Sequence, residues 1–195
     1  MKRYVKLFAI LAPLALLYGC SKGPAEESLK AADTAVDAAR SAEKFVPDQF
    51  KGLTDALAAA KDKFAKGDYA GSLADSKDIP AKATEVMTAA KAKKEELTRT
   101  WEALSKEVTG MVASITTRVG ELSAMKKLPK GMDKAQLEAA KAGLDSVTQG
   151  WGAASDAVKA GNWADGIKKG GEVKTRAQEV MASLGIAAPA AAAAK

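Results

Sequence analysis

Between residues 83 and 125 apolar side chains return every seven positions, and no other feature of the chain restricts its fold so much. One position of the period holds Met87, Lys94, Trp101, Val108, Ile115 and Leu122, and a second holds Ala83, Ala90, Leu97, Leu104, Met111, Arg118 and Met125. Only Lys94 and Arg118 among them are charged. A 3.5-residue spacing kept up over this length puts one stripe on one helix, as in a coiled coil. The spacing predicts one helix, or two end to end, over 81–127, spanning roughly 70 Å. Gly110 falls off the stripe, so it weakens such a helix without having to break it.

The flanking segments carry the shorter rhythm of hairpin helices. Leu29, Ala32, Val36, Ala39 and Ala42 mark a helix over 24–45, ended by Pro47; Phe50, Leu53, Leu57, Ala60 and Phe64 mark another over 48–66. A third starts at Tyr69 and is interrupted at Pro80, since proline has no N–H to donate. Pro129 and Gly131 make 127–132 a loop, after which helices are expected over 133–160 and 162–184. Alanine dominates and aromatic residues make up 5% of the chain, so the core should be thin and its helices close together. The expected fold is all-α: an elongated antiparallel bundle of two three-helix units, 24–97 and 98–185, sharing the long central helix. Residues 186–195, alanines and a proline without a polar face, are expected to be a disordered tail.

The two units repeat one another. A shift of 94 places Gly67-Asp68-Tyr69-Ala70 on Gly161-Asn162-Trp163-Ala164, and Ala83, Glu85, Val86 and Met87 on Ala177, Glu179, Val180 and Met181. In each turn the glycine takes a left-handed conformation that ends one helix. Asp68 or Asn162 is expected to accept the free N–H groups opening the next, with the ring of Tyr69 or Trp163 packed across the corner. The same shift aligns Ile79-Pro80 with Val173-Lys174, next to Gly170-Gly171, and predicts a bend at both places. The turn resembles that of tetratricopeptide-like hairpins, and also a family of alanine-rich bacterial lipoproteins of unknown function with a G-D-Y turn. That second likeness covers about 25–90 and implies an envelope location but no activity. A spacing of 94 is not the 34-residue period of a tetratricopeptide array.

The first twenty residues have a different character. Lys2, Arg3 and Lys6 precede an uncharged run from Leu7 to Gly19, the layout of a secretory signal and too short for a permanent span. It ends Leu17-Tyr18-Gly19-Cys20, with the only cysteine of the chain. This resembles the lipobox of bacterial lipoproteins: an aliphatic residue at −3, a small one at −1, then the cysteine, with Tyr18 a less usual −2 residue. The resemblance implies cleavage after residue 19, a short linker 20–23, and lipidation of Cys20. That lipid is the only covalent group expected, and no cofactor or metal is. Several acyl chains would anchor the protein stably. Ser21, where the family's inner-membrane retention signal has Asp, implies the outer membrane, facing the periplasm.

Loss of residues 1–19 removes three of the 30 basic residues and no acidic one, leaving 27 against 24, a net +3. So small a charge, spread along the chain, is not the footprint of a nucleic-acid binder. There is no histidine, which removes the commonest general base and most zinc sites. No phosphate-binding glycine motif is present. Met87, Met111, Met125, Met132 and Met181 read as packing rather than soft-metal ligands, and Trp101, Trp151 and Trp163 as core or inter-helix residues. Gly143, Gly150 and Ala157 recur every seven residues, and close approach of a partner helix, internal or from a second copy, would offset the helix cost of the glycines. The resulting expectation is a non-enzymatic, lipid-anchored scaffold or interaction protein of the cell envelope. Its partner would be an envelope protein or peptidoglycan, and homo-oligomers are open to it. One alternative rests on Lys195: the murein lipoprotein family is similar in outline and joins a C-terminal lysine to the cell wall. Another is a helical-hairpin binder of a small ligand or unfolded peptide, through a concave apolar surface at Tyr69 and Trp163.

Overall fold

The computed structural model describes residues 21–187, all-α in fold. The helices are α1 (Lys22–Ala38), α2 (Pro47–Ala65), α3 (Tyr69–Ser76), α4 (Ile79–Ala124), α5 (Lys134–Lys159) and α6 (Trp163–Ser183), with a 3-10 turn at Arg40–Lys44 after α1. The single helix expected over 24–45 is therefore an α-helix that tightens into a 3-10 turn. No helix among the described residues is long and apolar enough to cross a membrane. Residues 1–20 and 188–195 lie outside the described residues, and with them the signal segment, Cys20 and Lys195.

The chain divides into two compact units between Lys94 and Glu95, just before the expected boundary at 97/98. The long helix α4 is continuous across that boundary, so of the two arrangements expected for 81–127 the single helix is the one observed.

The first unit packs α1, α2, α3 and the start of α4 around Leu29, Val36, Phe50, Leu53, Leu57, Ile79 and Val86. Pro47 opens α2, where its missing N–H would be unpaired in any case. The break before α4 falls at Lys77–Asp78, two residues ahead of Pro80. The proline cannot donate to the carbonyl one turn back, which separates α3 from α4. Alanines fill the helix contacts: Ala25, Ala32, Ala39 and Ala60 are completely buried.

The second unit packs the remainder of α4 against the α5–α6 hairpin, around Val108, Met111, Ile115, Leu122, Val147, Ala177, Val180 and Leu184. Asp133 and Gln136 form a reciprocal capping box at the start of α5: the Gln136 N–H donates to the Asp133 carboxylate at 2.7 Å and the Asp133 N–H to Gln136 Oε1 at 2.8 Å. Glycines set the spacing of the hairpin. A Cβ on Gly143 would lie 2.6 Å from Val180, and one on Gly150 would lie 2.8 Å from Val173. Seven residues forward on α5 match seven back on α6, the register of an antiparallel pair. The partner implied by the small-residue stripe is thus internal.

The apolar stripe of α4 differs in detail from the seven-residue reading. Val86, not Met87, enters the first core, and Val119, not Arg118, enters the second; Met87 and Met125 are 38% and 44% exposed. A straight helix of 3.6 residues per turn drifts about 20° per heptad against a strict repeat. Over this length the drift hands the core position to the neighbouring residue.

Candidate functional site

The two turns singled out by the repeat are the most constructed local features of the chain. Gly67 has φ 82° and Gly161 φ 86°, values that cost a residue with a Cβ about 1–2 kcal/mol. Both turns close with the same pair of backbone bonds. The Gly67 N–H donates to Phe64 O and the Asp68 N–H to Lys63 O, both at 3.0 Å; the Gly161 and Asn162 N–H groups donate to Val158 O and Ala157 O, both at 2.9 Å. This is the Schellman arrangement, which satisfies the last carbonyls of the outgoing helix.

The capping side chains differ. The carboxylate of Asp68 accepts from the Gly71 N–H at 2.9 Å. Asn162 makes no side-chain capping bond, contrary to the expectation; its backbone carbonyl alone accepts from the Gly166 N–H, at 2.9 Å. Asparagine and aspartate cap about equally well in general; the full charge of a carboxylate adds an attraction to the positive end of the helix that a neutral amide lacks.

The aromatic members are half-buried in both turns. The Tyr69 ring packs edge-on against Phe64 with centroids 5.1 Å apart, and the Lys22 ammonium lies 5.9 Å from its centroid. Lys63 bonds Asp75 at 2.7 Å, tying α2 to α3, and that hydrogen bond raises the lysine above its ordinary pKa. Tyr69 belongs to the first unit and Trp163 to the second.

Behind each turn lies a pair of small residues, and here the repeat has a physical counterpart that residue identity conceals. Ser72 and Ser76 of α3 occupy the positions of Gly166 and Gly170 of α6, and all four are buried. In the first unit Ser76 donates to Ser28 of α1 at 2.8 Å, while the buried Ser72 hydroxyl finds no partner among the described residues. In the second unit the space over Gly170 is taken by indoles. Trp101 and Trp151 stack with centroids 4.7 Å apart and planes within 5°, and a Cβ on Gly170 would lie 3.3 Å from each ring and 2.7 Å from Leu104. The bend expected at Gly170-Gly171 is absent, and α6 runs through both. The glycine at 170 serves close approach rather than flexibility.

The second unit also has a concave surface, a cavity of about 470 Å³ between α4 and the end of α6, lined by Lys106, Gly110, Met111, Met181 and Ile186. Gly185 (φ 67°) ends α6, and the Ile186 N–H returns to Met181 O at 2.9 Å, which folds Ile186 back to the rim. Ile186, expected in the tail, is thus held to the second unit, and Gly185 before it is the sequence signal for that turn. Among the described residues no cluster of three or more acidic, histidine or cysteine side chains could hold a metal ion. No protein-family model matches this chain, and neither the curated proteins nor the solved structures include a match to it.

Proposed function

We propose that this protein is a lipid-anchored scaffold or interaction protein of the bacterial cell envelope, held by lipid on Cys20, and that it acts by binding another envelope component rather than by catalysis. The observation that carries the reading is Leu17-Tyr18-Gly19-Cys20 after a basic segment and a short apolar run, with the only cysteine at the point where a signal should end. A free thiol in an oxidising compartment is a liability that lipidation removes. The absence of histidine from the whole sequence adds weight to a binding role over a hydrolytic one. The partner is proposed by class only, as a protein or glycan of the envelope.

The test is chemical. Expressed in a bacterial host, the protein should incorporate labelled palmitate, and the mass of its N-terminal peptide should correspond to acylated Cys20. Cys20→Ser should lose the label and remain uncleaved. A mature protein whose Cys20 carries no lipid would end the proposal.

A further inference from the structure

The start of α1, the end of α2 and the start of α3 lie together at one end of the first unit. Lys22 reaches Tyr69 and Ser28 reaches Ser76, so α1 and α3 run parallel and begin at the same end. The α2–α3 turn, with Phe64 against Tyr69, brings the end of α2 to that level. The Ser76–Ser28 bond ties α3 to α1, so α3 cannot leave the start of α1 without breaking it.

The folded body begins almost at the lipidation residue. The helix starts at Lys22, inside the stretch expected to be a linker, and the Ala25 N–H already donates to Ser21 O at 3.0 Å. Two residues of chain span at most about 7 Å. The polar layer on each side of a bilayer is about 5–7 Å deep. A glyceride bound to Cys20 holds that residue in this layer, and the reach of the chain then holds the start of α1 at its outer edge.

We infer that this end of the first unit, formed by the start of α1 and the Lys66–Tyr69 turn, rests on the phospholipid headgroups of the anchoring membrane, with Lys22, Lys66 and Tyr69 as its contacts. The inference rests on lipidation of Cys20 as proposed above and adds the surface that meets the bilayer. The residue types suit the layer. Lysines carry an apolar stem and a charged tip that reaches phosphate, and tyrosine is favoured at membrane interfaces for its apolar ring and polar hydroxyl. Of the carboxylates at this end, Asp62 pairs with Lys66 at 2.6 Å, Asp75 with Lys63, and Asp68 accepts from the Gly71 N–H. Glu26 and Glu27 stand exposed one turn further along α1, and Lys66 would exchange its exposed surface pair for phosphate, a pair worth little in water. Binding needs little intrinsic affinity, because the anchor keeps the surface at high local concentration.

Spin labels on the full lipidated protein test this. Ala65→Cys lies beside the turn and Ala38→Cys at the far end of α1, about 24 Å along the helix; both alanines are exposed, so both variants should fold. In vesicles of phosphatidylethanolamine and phosphatidylglycerol, the label at 65 should collide with a water-soluble nickel complex several-fold less often than the label at 38. Without the membrane, in a chain expressed from residue 20 onward with Cys20→Ser, the two should be alike. Acylated protein that floats with the vesicles while both labels stay equally accessible to the nickel complex overturns the inference and leaves the anchor standing. Protein with no lipid on Cys20 that fails to float overturns the proposed function and the inference with it.

Discussion

Two adjacent glycines of α6 show how far a single residue's meaning depends on what faces it. Both lie inside a helix, where glycine costs about 1 kcal/mol relative to alanine. At Gly171 a Cβ would meet nothing within 4 Å, whereas at Gly170 it would strike Leu104 and the stacked indoles. Gly171→Ala is therefore expected to stabilise the second unit by up to about 1 kcal/mol, through helix propensity alone. Gly170→Ala gains the same propensity but overpacks the site at a cost of about 1–3 kcal/mol, for a net loss. Denaturant midpoints followed by tryptophan fluorescence measure both. Equal shifts of the same sign would show that the glycines are interchangeable and that the indole stack does not depend on Gly170. Sequence could not separate the two, because a paired glycine looks the same whether it bends a helix or admits a neighbour. The left-handed glycines were legible because a local rule governs them: Gly67 and Gly161 each precede a capping residue and end a periodic run. That Asp68 caps and Asn162 does not lay below that rule's resolution.

At the scale of elements, helix existence and order followed from apolar period and breakers, and Pro47, Pro80, Pro129 and Gly161 mark real ends. The face each helix buries was less legible. The repeat along α4 suggested one unbroken seam, but the buried positions fall in two runs, Ile79 to Ala90 and Val108 to Leu122, each belonging to a different core. Between them no side chain is fully buried, and Leu97, Trp101 and Leu104 are half-buried. Local opening is easiest where few apolar contacts hold a segment. Amides of α4 from Lys91 to Thr100, ahead of the stacked Trp101, are thus expected to exchange with solvent faster than those of the two flanking runs. Hydrogen exchange resolved by peptide tests this, and uniform protection along α4 would mean that the middle of the helix is held as firmly as its ends. The candidate site was legible unevenly for a related reason. Cys20 is proposed from a linear pattern that is read without a fold, and it lies outside the described residues, whereas the pairing of Ser72 with Gly166 and of Ser76 with Gly170 becomes meaningful only when burial is seen.

For the molecule as a whole, the consequence of two cores is two stabilities. No buried residue is common to the cores around Leu57 and around Ile115, and each closes within its own unit. Chains of this kind depart from two-state unfolding when the units differ in stability. The tryptophans provide a selective probe, since Trp101, Trp151 and Trp163 all belong to the second unit while far-ultraviolet dichroism reports helix in both. Leu57→Ala removes a nearly buried side chain from the first core and should cost it about 2–5 kcal/mol. The expected result is a dichroism curve whose early part moves to lower denaturant while the tryptophan transition keeps its midpoint. Ile115→Val, a smaller deletion in the second core costing about 0.5–1.5 kcal/mol, should move the tryptophan transition instead. If Leu57→Ala shifts both signals together, α4 couples the cores strongly enough for them to unfold as one body, and the independence argued from their separate burial is wrong.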